Sequence, residues 1–158
     1  MSLFNYFLSP LGRISRQEYW LGMLVLMAIT VPVSMLLDPA AFTASASEKV
    51  TAPTFAGTVW NLILTWPSAA ISIKRFNDRD WPHLIGYALG LLMAGLVLSN
   101  YQGLLLDPDR MKPGEMLAMV LLVAAFVWAL IENGFRRGSD GPNRYGPDPL
   151  QPGGPPLT

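Results

Sequence analysis

Residues Tyr19–Leu37 read YWLGMLVLMAITVPVSMLL, an apolar run without a single charge. A helix needs about 17–25 such residues to cross ~30 Å of hydrocarbon. Three further stretches read the same way: Gly57–Ile73, Leu84–Leu106 and Met116–Phe135. None alternates with period two, and all are too long for barrel strands. A soluble four-helix bundle would need polar outer faces, whereas these segments are apolar nearly all round. The sequence therefore predicts an all-α integral membrane protein, a four-helix transmembrane bundle. Residues 1–150 form one membrane domain, and 151–158 read as a disordered Pro/Gly-rich tail.

Only 14% of the 158 residues are charged, against roughly 25% in soluble domains. The charges sum to zero but are segregated. Arg13, Arg16, Lys74, Arg75, Arg79, Arg136, Arg137 and Arg144 fall on one side of the expected membrane, and Lys49, Arg110 and Lys112 on the other. The positive-inside bias puts both termini and the middle loop in the cytoplasm. The outer loops are then Asp38–Ala56 and Asp107–Glu115. Ala44-Ser45-Ala46 resembles a signal-peptidase site, but the run before it exceeds the ~7–15 residues of a signal sequence. The first span is read as retained.

Ser15-Arg16-Gln17-Glu18 fits a capping box, with Ile14 and Tyr19 at the staple positions. Before it, Phe4, Phe7, Leu8 and Leu11 recur at helical spacing and predict a short interfacial helix, broken at Pro10–Gly12. Pro32 and Pro67 are candidate kinks. Asp78 or Asp80 is expected to cap the third span, with Pro82 in its first turn. Gly86, Gly90 and Ala94 form a small-residue ladder, open to packing within the bundle or to dimerisation.

Thr58, Asn61, Thr65, Ser68, Ser72 and Arg75 step by threes and fours, so they line one seam of the second helix. A polar seam facing lipid is disfavoured and should face the bundle interior. Two readings stay open: interhelical hydrogen bonding, or a polar path or headgroup groove. Glu132 shares a face with Ala125 and Ala129 and needs a cationic partner. Arg136 at i+4 is available, and Arg75 could approach from the second span. Arg13 or Arg16, Arg75, Asp78 and Glu132 are expected to form one charge network, closed by the Asn143–Tyr145 turn.

No nucleophile elbow, phosphate loop, zinc motif or dinucleotide fingerprint occurs. The chain has no cysteine and one histidine, His83. No cofactor or metal is expected, no nucleic acid is recruited by a neutral chain, and no enzymatic role is expected.

Three motifs resemble a known family. Gly12-Arg13-Ile14-Ser15-Arg16-Gln17-Glu18-Tyr19-Trp20 is similar to its opening, Lys74-Arg75-Phe76-Asn77-Asp78 to its middle motif, and Gly141-Pro142-Asn143-Arg144-Tyr145-Gly146-Pro147-Asp148-Pro149 to its close. Together they resemble the bacterial inner-membrane proteins of the domain-of-unknown-function 805 type. Asn77 stands where that family usually has His, and Trp81 comes earlier than the family's Trp. The resemblance implies a multi-pass membrane protein and no particular activity. The leading expectation is a protein that binds lipid headgroups, anionic ones included, or a protein partner at its cytoplasmic face. The alternatives are an accessory subunit of a larger membrane complex, a homo-oligomer among them, and a small transporter or channel.

Overall fold

The computed structural model describes residues 2–43, 52–103 and 112–151. Lys49, Arg110, the 104–106 end of the third predicted span and residues 152–158 of the tail lie outside the described residues. Within them are six helices: α1 (Leu3–Leu8), α2 (Arg16–Leu37), α3 (Ala40–Thr43), α4 (Phe55–Asp78), α5 (Leu84–Tyr101) and α6 (Pro113–Gly134). No strand occurs among the described residues. Three helices, α2, α5 and α6, are long and apolar enough to cross a membrane. α4 has 24 residues, about 36 Å at 1.5 Å per residue, but its polar seam dilutes its apolar character.

α2 begins at the expected capping box. Glu18 N donates to Ser15 Oγ at 3.3 Å, and Ser15 N donates to Glu18 Oε2 at 2.7 Å. α2 and α4 run through Pro32 and Pro67 as continuous helices. α4 ends at Asp78 in a Schellman-type turn, with Trp81 N on Phe76 O and Asp80 N on Asn77 O. Asp80 takes the left-handed position at φ 57°, where Asp is tolerated better than most residues.

Three local expectations differ from the structure. α5 stops at Tyr101, where Gln102 N and Gly103 N turn back onto Leu98 and Asn100 carbonyls and Gly103 adopts φ 73°. Neither Asp78 nor Asp80 caps α5; His83 stands at its N-cap without a side-chain cap bond, because both carboxylates are engaged by arginines. α6 starts earlier than expected, at Pro113, a residue suited to a first helical turn.

α4 is the axis of the molecule. The start of α2 and the end of α4 lie together, as the Arg13–Asp78 pair shows. At the opposite end, Thr54 N donates to Asp38 Oδ1 at 2.6 Å, joining the end of α2 to the start of α4. The two helices are therefore antiparallel. α5 packs back along α4, and Phe55 of α4 meets Tyr101 of α5 edge-on. α6 again ends beside Asp78.

Burial is inverted relative to a soluble protein. In α2, α5 and α6 only 6–11% of the apolar window is buried. The largest fully buried side chains include Arg75 and Lys74, together with Phe76, Ile14, Ile71 and Ile73. An apolar exterior around a polar, hydrogen-bonded end suits a protein whose solvent is lipid along its length. The small-residue ladder faces α4 of the same chain: a Cβ on Gly86 would lie 2.4 Å from Ile73 Cγ1, and one on Gly90 3.0 Å from Ala69 Cβ.

Candidate functional site: a buried arginine–carboxylate cluster

The last carbonyls of a helix have no partner within it. At the end of α6 they are taken one by one by donors from other helices. Arg75 Nε donates to Asn133 O at 2.7 Å, Trp20 Nε1 to Gly134 O at 3.0 Å, and Arg16 Nη1 to Phe135 O at 3.1 Å. Arg75 Nη2 also donates to Arg136 O, and Arg79 Nη1 donates to Arg137 O at 2.8 Å. Cationic donors suit the negative end of the helix dipole.

Asp78 neutralises the deepest of these cations. Its carboxylate pairs with Arg13 Nη2 at 2.9 Å and with Arg75 Nη1, all three side chains being at most 4% exposed. Arg13 then reaches into the closing segment, donating to Gly141 O at 2.7 Å and Ser139 O at 2.8 Å. Ser139 N donates to Asp78 O at 2.8 Å. Gly138 has to be glycine for contact reasons: a Cβ there would sit 2.0 Å from Asp78 Oδ2.

The closing turn is fastened the same way. Asn143 Nδ2 donates to Asn77 O at 2.9 Å and to Ser139 Oγ at 3.0 Å. Tyr145 Oη donates to Trp81 O at 2.8 Å. Asp148 accepts from Leu150 N and Gly141 N, and those backbone donors, Leu150's foremost, hold its carboxyl below the ordinary carboxylate range.

The sequence expects one network with Arg13 or Arg16 in it; the structure uses Arg13 and differs at Glu132. Glu132 pairs with Arg79 at 2.6 Å and Arg136 at 3.4 Å, not with Arg75. Arg75 is committed to Asp78 and the α6 carbonyls, and Arg79, one turn further along α4, reaches Glu132 instead. Arg16 binds a carbonyl and makes no ion pair with Asp78. There are thus two carboxylate centres, Asp78 and Glu132, joined through the backbone of residues 133–137.

Sequence reading passed over Lys74 and Asn77 as site residues. Lys74 is fully buried, and its Nζ donates to Asn5 O at 2.5 Å and Tyr6 O at 2.6 Å, holding the end of α1. Asn77 Nδ2 donates to Pro10 O at 3.2 Å and Gly12 O at 3.1 Å. The available signal was the Lys74–Asp78 run, four polar residues interrupted only by Phe76, at the end of an apolar helix. The other half of each contact is a backbone carbonyl, which no residue type announces.

Four residues of the polar seam are satisfied within their own helix. Thr58, Asn61, Thr65 and Ser68 each bond the carbonyl four residues back, at 2.9–3.0 Å. Thr65, Ser68 and Ser72 line a half-open cavity of about 370 Å³ between the helices, with Tyr19 and Asn133. Among the described residues, no group of three His, Asp or Glu side chains is placed to hold a metal ion.

A second cleft, about 250 Å³, opens beside the Arg75–Asp78 pair and is lined by Ser15, Arg16, Gln17, Arg137 and Gly138. Arg137 is 72% exposed and pairs loosely with Asp140 at 3.3 Å. Such surface pairs contribute little, so this guanidinium is available to another anion. Arg16 has no carboxylate partner among the described residues.

Long apolar helices and a buried polar end define the class, an all-α multi-pass membrane protein. The chain belongs to the family described as "Protein of unknown function (DUF805)", which matches residues 7–147. It is similar to "Uncharacterized protein YiiR" of Escherichia coli strain K12, 26% identical over 155 residues, covering 94% of this chain and 90% of the relative. The protein of the same name in Escherichia coli O157:H7 gives the same figures. No solved structure matches the chain.

Proposed function

We propose that the chain crosses a bacterial inner membrane four times, with both termini cytoplasmic, and binds anionic phospholipid headgroups there without catalysing a reaction. The antiparallel run of α4 beside α2 and α5 supports the fourth crossing, since α4 spans the same thickness as its neighbours. Four residues of its polar seam are hydrogen-bonded internally, which lowers the cost of burial among helices. α1 then lies at the interface, with Leu3 and Phe4 at least 70% exposed and its inner side tied to Lys74.

The observation that carries the headgroup reading is the cleft at Arg16 and Arg137. Two cationic side chains without a strong carboxylate partner flank a recess at the level where phosphates of the cytoplasmic leaflet lie. Each basic residue near an anionic surface contributes about 1 kcal/mol. In native mass spectrometry of the detergent-purified full chain, phosphatidylglycerol should be retained in preference to phosphatidylcholine. The double variant Arg16→Gln/Arg137→Gln should weaken that retention roughly tenfold or more. Equal retention of both lipids, together with a stoichiometric protein companion, would instead favour the accessory-subunit reading.

A further inference from the structure

On the far side of the Asp78 cluster lies a third recess, about 270 Å³, whose walls include Asn77, His83, Tyr87, Arg144 and Tyr145. We infer that this pocket binds a phosphoethanolamine group, a primary ammonium held one short link from a phosphate, on the headgroup of a membrane lipid.

Three observations point to that chemistry. The first is the aromatic wall. The His83 ring stands 5.9 Å from both Tyr87 and Tyr145, at interplanar angles of 90° and 76°. It is the faces of such rings, the electron-rich side of the π-system, that attract an ammonium group.

The second is Asn77. Its Nδ2 faces two carbonyl acceptors, Pro10 O and Gly12 O, which fixes the amide orientation. That leaves Oδ1 as the acceptor, 2% exposed at the residue level and without a partner. A buried acceptor left unpaired is costly. A ligand N–H would pair it, and a primary ammonium has three, whereas a choline has none.

The third is Arg144. It is exposed at the mouth, with its guanidinium carbon 5.0 Å from the Tyr145 ring centroid and its Nε 3.0 Å from Asp80. Its Nη2 donates to Asp80 O at 2.6 Å, and the half-exposed guanidinium keeps its Nη1 donors for a phosphate. A cation at the rim and a cation-seeking wall inside match a zwitterion better than a simple anion. Leu11 and Leu84, at least 70% exposed, flank the same region and offer apolar surface to acyl chains. The volume falls below the ~300–1,000 Å³ of drug-sized sites, in keeping with a small headgroup.

This pocket shares neither Arg16 nor Arg137 with the anionic cleft, so the two fail separately. His83 is the single histidine, so its imidazole NMR signal reports on the site alone. Dihexanoyl phosphatidylethanolamine, dihexanoyl phosphatidylcholine and free phosphoethanolamine are titrated in turn into the full chain in detergent. The ethanolamine lipid should shift the His83 signal saturably, with the choline lipid at least tenfold weaker. Saturation by free phosphoethanolamine at the same affinity would assign the chemistry to a soluble source; weaker binding would assign it to the bilayer. Tyr87→Leu should weaken binding about fivefold or more, and Tyr87→Phe should retain it. Arg144→Gln, a change at a half-exposed side chain, should also weaken it. The inference is overturned if neither ethanolamine compound gives a saturable shift, if the choline lipid binds equally well, or if Arg144→Gln and a folded Tyr87→Leu both bind like the unaltered chain.

Discussion

Asp78→Ala should lower the stability of the detergent-solubilised chain by about 3–5 kcal/mol, the usual cost of stripping one partner from a buried charge cluster. The change leaves Arg13 and Arg75 buried, at 1% and 0% side-chain exposure, without their shared counter-ion. Arg75→Ala should cost a similar amount, because Asp78 loses one of its two cations and Asn133 O and Arg136 O lose their donor. The two losses should not add. Once Arg75 is gone, removing Asp78 costs less, and the coupling should exceed about 1 kcal/mol in a double-mutant cycle. Thermal or denaturant unfolding of the four proteins measures it. Strict additivity would mean that this pair does not act as a unit.

The second large effect concerns the α4–α5 contact. Gly86→Ala should destabilise by about 1–3 kcal/mol, since its Cβ would meet Ile73 Cγ1 at 2.4 Å and the Ile73 Cα at 3.1 Å. Gly90→Ala should cost less, because the nearest atom, Ala69 Cβ, is 3.0 Å away. Gly95→Ala meets nothing within 4 Å and should be neutral or up to about 1 kcal/mol stabilising through helix propensity. That gradient, read from unfolding midpoints, distinguishes packing inside one chain from packing between copies. If the ladder served dimerisation, Gly86→Ala and Gly90→Ala would act on the oligomeric state, and dilution would alter the ranking.

Much of the helical framework is legible in the sequence because lipid imposes simple demands. A bilayer-length apolar run needs no tertiary information to be recognised, and Ser15 with Glu18 announces where α2 begins. α4 is harder. Its seam of Thr58, Asn61, Thr65 and Ser68 looks like interhelical adhesive, yet each side chain bonds its own preceding turn, a choice made by rotamers rather than residue type. The charged residues of the site are also legible: Arg13, Arg75, Asp78 and Glu132 stand out at the ends of apolar segments. Their pairing is not. Whether Glu132 meets Arg75 or Arg79 depends on which arginine is already engaged by the carbonyls ending α6, and those acceptors belong to the backbone. Lys74 escapes notice for the same reason, since all of its hydrogen-bond partners are carbonyls of α1.

The membrane arrangement is the claim on which the headgroup sites rest, and cysteine accessibility tests it directly. The chain has no cysteine of its own, so single replacements at Ser2, Ser47, Gly114 and Asp140 report individually. In intact cells with a permeabilised outer membrane, an impermeant maleimide should label Ser47→Cys and Gly114→Cys. Ser2→Cys and Asp140→Cys should react only after the inner membrane is opened. If α4 did not cross, Gly114→Cys would be protected and Asp140→Cys would label from outside, and that pattern would contradict the four-crossing account.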